Sequence, residues 1–161
     1  MDHVEKAYEL FKAGCNCSQS VCGAFSDLLG IDEETLLRLS SSFGGGFGRL
    51  RGLCGAVAGM GLVAGYLYGD KVATDRKAKA EHYARVQELA HTFQEEHGSI
   101  ICMELLQKRK LQVNTDPVPD ERNSRYYQMR PCVRLVESAA KILDQYIKEH
   151  PVEIANHEKD D

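Results

Sequence analysis

Six cysteines, Cys15, Cys17, Cys22, Cys54, Cys102 and Cys132, hold most of the reactive chemistry in this sequence. A thiolate is both a nucleophile and a soft metal ligand, so the set admits thiol–disulfide exchange or ligation of a metal or cluster. Local spacing does not choose between them. The paired C-x-x-C ligands of zinc and ferredoxin sites are absent, as are the C-x-x-C of a thioredoxin-like site and the C-x-x-C-H of covalent haem attachment. Cys15-Asn16-Cys17 is a C-x-C pair that could take a soft metal or close a strained disulfide, although crowding at a helix end accounts for it more simply. Cys54 stands out, because three consecutive glycines and then Arg49 and Arg51 precede it in SSFGGGFGRLRGLCGAVAGMG. The arginines add positive charge, and glycine-rich backbone can form an anion-binding nest of N–H groups, so Cys54 is expected to be the most acidic thiol.

The elements that must position these sulfurs read as helices. Val4, Ala7, Tyr8 and Phe11 form one stripe, closed by Gly14. Asn16-Cys17-Ser18-Gln19 has the form of a capping box and opens a helix carrying Val21, Phe25, Leu28 and Leu29 before Gly30. Asp32 caps a third helix through Leu36, Leu37, Leu39 and Phe43, which the glycines from Gly44 to Gly46 end. Leu53 to Tyr68 is apolar nearly all round, hence central and buried, and its spaced glycines imply close packing. A long charged helix runs from Thr74 or Asp75 to His97, with Val86, Leu89, Ala90 and Phe93 inward and Gly98 closing it. Ser99 caps a short helix bearing Cys102, Leu105 and Leu106. Lys108 to Arg130, with Pro117 and Pro119, is a long connection of little periodicity, either a functional cover or loosely ordered. Pro131 starts a last helix marked by Val133, Val136, Ala140, Leu143 and Ile147, and Pro151 ends it.

With the elements in place, Cys17, Cys54, Cys102 and Cys132 each fall at the beginning of a helix. Unsatisfied N–H groups and the macrodipole favour an anion there, which predicts a lowered thiol pKa at all four positions. Buried, inert cysteine remains the plain alternative for any one of them.

No stretch alternates long enough to make a strand. The expected fold is all-α, a single-domain bundle of six or seven helices over residues 1–150, with a buried Gly/Ala-rich central helix and a polar, frayed tail at 151–161. The 161 residues suffice for a core without disulfide staples, and the 43% apolar and 27% charged fractions are ordinary. A net charge of −4 with no concentrated basic face argues against nucleic acid and membrane surfaces as partners. Leu53 to Tyr68 falls short of the roughly 20 residues a membrane span needs. The opening MDHVEKAYELF carries acidic residues and no signal-like apolar run, which predicts a cytoplasmic chain with reduced thiols. No P-loop or dinucleotide fingerprint occurs. His82, His91 and His97 make no H-E-x-x-H pair and are expected to face solvent or an interface.

Asn16-Cys17-Ser18-Gln19, Phe43-Gly44-Gly45-Gly46, the run Gly52-Leu53-Cys54-Gly55-Ala56-Val57-Ala58-Gly59, Cys102 with Glu104-Leu105-Leu106, and Cys132 with Val133 and Leu135-Val136 follow one another in order. Together they resemble the C_GCAxxG_C_C family of redox-active proteins, from Phe11 to about Ile147. The resemblance implies four hallmark cysteines, here Cys17, Cys54, Cys102 and Cys132, and a redox role with no assigned reaction; Cys15 and Cys22 fall outside the set. Two mechanisms are open. In one, Cys54 attacks an oxidised partner and Cys17 or Cys102 resolves the mixed disulfide. In the other, the four thiolates ligate a metal ion or an iron–sulfur cluster without catalysis. A third reading is a structural bundle with inert cysteines. The partner is then an unknown redox protein or a small anionic ligand, and the glycine-faced helix admits a homodimer.

Overall fold

The computed structural model describes residues 2–152. The expected tail lies outside them apart from Pro151 and Val152. Among the described residues the fold is all-α with no strand, and six helices of eight residues or more make the bundle.

Helix α1 (His3–Lys12) begins where the Asp2 carboxylate accepts from the Glu5 amide, and it buries Ala7 and Phe11. Helix α2 (Cys17–Ala24) carries the expected capping box: Asn16 accepts from the Gln19 amide while the Gln19 side chain accepts from the Asn16 amide. The second helix was expected to run unbroken to Leu29. It stops at Phe25 and resumes as the single turn α3 (Ser26–Leu29), which ends in left-handed Gly30. Phe25 sits at the break, fully buried and stacked on the His3 ring. Helix α4 (Glu33–Ser40) is capped by Asp32 as expected, but its last turn tightens into a three-residue turn, Ser41–Phe43, so Phe43 lies beyond the α-helix.

The glycines do more than end that helix. In α5 (Gly44–Phe47), one turn and not a regular helix, Gly45 and Gly46 are left-handed. Phe47, Gly48 and Arg49 continue the positive-φ run, and Arg51 follows after Leu50. Left-handed backbone costs a non-glycine residue about 1–2 kcal/mol. The turn is held by Arg51 N–H donating to the Gly45 carbonyl and Gly52 N–H to the Gly46 carbonyl. Glycine is required at 46 on two counts, a φ of 68° and a Cβ that would come 2.7 Å from the Cβ of Cys102.

Helix α6 (Gly55–Tyr68) starts two residues later than expected, because Leu53 is occupied in a bridge with Ile101. It is central, packed by α2, by α7 (Arg76–His97) and by α10 (Cys132–Glu149). Its glycines are used within the chain: a Cβ at Gly59 would stand 2.8 Å from that of Val21, and one at Gly55 would stand 3.1 Å from that of Cys17. In α7, Leu89 and Phe93 are buried as expected, whereas His82, expected at the surface, is buried and paired with Arg85. Burial lowers the His82 pKa. Helix α8 (Cys102–Gln107) is capped by Ile101 in place of Ser99, whose hydroxyl instead accepts from the Ile101 amide and donates to Glu104. The connection read as aperiodic contains a helix, α9 (Ser124–Met129), opened by Asn123. Pro131 is the cap of α10, so Cys132 is its first residue. Among the described residues no helix is long and apolar enough to cross a membrane.

Candidate functional site

The four cysteines expected at helix beginnings are there. Cys17, Cys102 and Cys132 are the first residues of α2, α8 and α10, and Cys54 is the cap of α6. Separate devices bring them together. The segments before α6 and α8 are zipped antiparallel: Cys54 N–H donates to the Ile100 carbonyl and Cys102 N–H to the Gly52 carbonyl, both at 2.7 Å. That ladder sets Cys54 beside Cys102. On the other side, Asn16 starts α2 and also donates to the Ser41 carbonyl, which ties the Cys17 end of α2 to the glycine turn. The four side chains line one cavity of about 280 Å³. All six thiols are free; Cys54 and Cys132 are buried, Cys17 and Cys102 partly exposed.

Charge around the cavity separates the four sulfurs. The neighbouring Cys17 thiol contributes most to bringing the Cys132 pKa down to about 7 against the opposing effect of burial. The guanidinium groups of Arg130 and Arg122 and the Tyr126 hydroxyl lower it further. The proximity of Cys132, with burial, pushes Cys17 well above the usual thiol range. Of the two, Cys132 is the more acidic thiol.

Burial works against the expected acidity of Cys54. Burial pushes its thiol up to about 12, although the Ala56 and Val57 amides at the start of α6 pull the other way. Its expected helpers are turned elsewhere. Arg49 binds the Asp116 carbonyl, Asp120 and Asn114. Arg51 donates through Nε to the Asn114 carbonyl and lies 3.8 Å through Nη1 from the Cys102 sulfur. Even so, burial raises the Cys102 pKa. A helix N-terminus lowers a thiol pKa only where desolvation does not outweigh it: at Cys54 burial wins, and at Cys132 the lowering comes from Cys17, the arginines and Tyr126.

Cys15 and Cys22 stand apart from the cavity. Burial raises both, Cys22 to about 11, with the Ser40 hydroxyl opposing. The unmarked residues that matter lie in the long connection. Pro117, Pro119 and Asp120 cover the cavity, and Arg49 and Arg51 fasten that cover. Arg122 donates to the Phe11 and Cys15 carbonyls at the end of α1 and stacks on Phe11 and Tyr126. Arg130 pairs with Asp120. The available sequence signal was the mix of basic and aromatic residues in ERNSRYYQMR. Among the described residues no three His, Cys, Asp or Glu side chains are grouped as the ligands of one metal ion.

The fold is thus an all-α bundle that gathers cysteines from four helix beginnings around one cavity. The chain belongs to the family described as putative redox-active protein (C_GCAxxG_C_C), whose model matches residues 15–146. Among curated proteins and solved structures, nothing matches.

Proposed function

We propose that this chain is a thiol–disulfide redox protein in which Cys132 is the nucleophile and Cys17 the resolving thiol. The observation that carries the reading is that Cys17 and Cys132, the first residues of α2 and α10, line one cavity, where Arg130 and Arg122 help to lower the Cys132 thiol pKa while that of Cys17 is raised. A thiol whose pKa lies close to ambient pH combines a large thiolate fraction with retained nucleophilicity. The thiolate attacks one sulfur of an oxidised partner, whose other sulfur leaves as a thiolate and takes a proton. The Cys17 sulfur, giving up its proton, then attacks Cys132 and releases the second half. Two electrons pass from the protein to the partner, and a Cys17–Cys132 disulfide remains. In this reading Cys54 and Cys102 complete the cavity wall, and the cover formed by Pro117 to Asp120 limits access.

Counting free thiols before and after mild oxidation of single variants tests this. With a small disulfide as oxidant, the wild type and Cys54→Ala are expected to lose two thiols, Cys17→Ala to lose one as a trapped mixed disulfide on Cys132, and Cys132→Ala to lose none at the same dose. Loss of two thiols in Cys132→Ala would contradict the assignment.

A further inference from the structure

Among the described residues, the cavity around the dithiol is lined by more cations than anions. Four guanidinium groups line it, from Arg49, Arg51, Arg122 and Arg130, against the single carboxylate of Asp120. Asp120 is shared by Arg49 and Arg130. Arg122 has no carboxylate partner among the described residues and is engaged with the Phe11 and Cys15 carbonyls. Arg51 is the exceptional one. It is 4% exposed, has no carboxylate partner among the described residues, and uses only Nε and Nη1, on the Asn114 carbonyl and the Cys102 sulfur. No hydrogen bond from its Nη2 to a described residue is formed, and its charge reaches Asp120 only at a distance. A buried cation lacking a counter-charge is strongly unfavourable unless something anionic repays the desolvation. A thiolate at Cys132 balances one of the three excess charges and leaves two.

Resting on the dithiol reading, we infer that the cavity takes a small organic disulfide bearing an anionic group, with Arg51 as its anchor. Size points the same way as charge. At about 280 Å³ the space matches the low end of small-molecule sites, and burial of Cys54 and Cys132 in a cavity also lined by Pro117 and Pro119 favours a small disulfide over one on a folded protein. Arg51 holds the anion while the substrate's sulfurs meet Cys132. The substrate S–S bond breaks as the Cys132–substrate bond forms, and one half leaves as a thiolate that is protonated by solvent. Attack by Cys17 releases the other half, so the substrate becomes two thiols and the protein holds one disulfide.

Three symmetrical disulfides separate the outcomes: dithiodiglycolate, anionic; hydroxyethyl disulfide, neutral; and cystamine, cationic. Each is mixed anaerobically with the reduced full chain, free thiols are followed, and each rate is divided by that of free mercaptoethanol with the same disulfide. The normalised rate is expected to be about tenfold or more higher for dithiodiglycolate than for hydroxyethyl disulfide, lowest for cystamine, and compressed by added salt. In Arg51→Gln the anionic-to-neutral ratio is expected to fall towards unity. Equal normalised rates, or cystamine the fastest, would overturn the anionic-substrate inference and leave the dithiol reading standing. No thiol loss with any of the three would remove the dithiol reading and this inference with it.

Discussion

Cys17 and Cys132, the first residues of α2 and α10, line the same cavity, and their mutual influence splits two chemically identical side chains, lowering the Cys132 pKa and raising that of Cys17. The capping box at Asn16 fixes one partner and the Pro131 cap fixes the other.

Alkylation kinetics should read the split directly. The rate at which iodoacetamide modifies Cys132 is expected to rise with pH about a midpoint near 7. In Cys17→Ala the thiolate loses its largest stabilising contact, so the midpoint is expected to move up towards the ordinary thiol range. Peptide mapping of the alkylated protein at several pH values checks both.

Stability should carry the same signature with opposite signs at two sulfurs. Cys132 has a folded pKa of about 7, below its ordinary value of 9.0. Its ionisation therefore stabilises the fold above pH 9, and that contribution is lost as pH falls through about 7. The penalty of Cys132→Ser, read from urea midpoints, is expected to be larger near pH 9 than near pH 6. Cys54 is raised to about 12, so its contribution is complete below its ordinary value of 9.0 and is lost as pH rises towards 12. The penalty of Cys54→Ala is accordingly expected to shrink above about pH 9.

Two glycines in the left-handed turn separate strain from collision. Gly48 has a φ of 58° with open space around its missing Cβ, so Gly48→Ala is expected to cost about 1–2 kcal/mol. Gly46 has the same strain, and its Cβ would also press on Cys102 and the Gly52 amide. Gly46→Ala is expected to cost about 2–5 kcal/mol. Equal unfolding midpoints for the two variants would contradict the tight packing of the turn on α8.

The cover over the sulfurs hangs on Asp120, which Arg49 and Arg130 share. Burial opposes its ionisation, but the Arg49 hydrogen bond and the positive charges of Arg130, Arg49 and Arg51 hold its carboxyl below the usual range. Asp120→Asn is expected to speed amide exchange across Asn114 to Asp120 several-fold and to quicken alkylation of Cys102. In the wild type the same loosening is expected only as pH falls through the depressed pKa of Asp120.

Local rules made the scaffold legible. The capping box at Asn16 and Gln19, the Asp32 cap, and closing glycines at 30 and 98 depend on residues close in sequence, and each is where it was expected. From those boundaries follow the four cysteines at helix beginnings. The ranking among them was not legible, because it depends on burial and on which arginine reaches which sulfur. Arg49 and Arg51 flank Cys54 in sequence, yet left-handed backbone at both positions turns them to the cover and to Cys102. Non-glycine residues give no sign of that conformation. The break at Phe25 was hidden by an unbroken apolar stripe. Helix α9 was hidden by polar residues around its Asn123 cap, and with it Arg122 and Tyr126, which reach the cavity from the far side.

The most direct measurement is the identity of the disulfide formed when the reduced protein is oxidised by one molar equivalent of a small disulfide and digested under acid quench. The cross-linked peptides are expected to join Cys17 to Cys132, with Cys54 and Cys102 recovered as free thiols. A cross-link joining Cys54 to Cys102, with Cys17 and Cys132 both still reduced, would contradict the central claim.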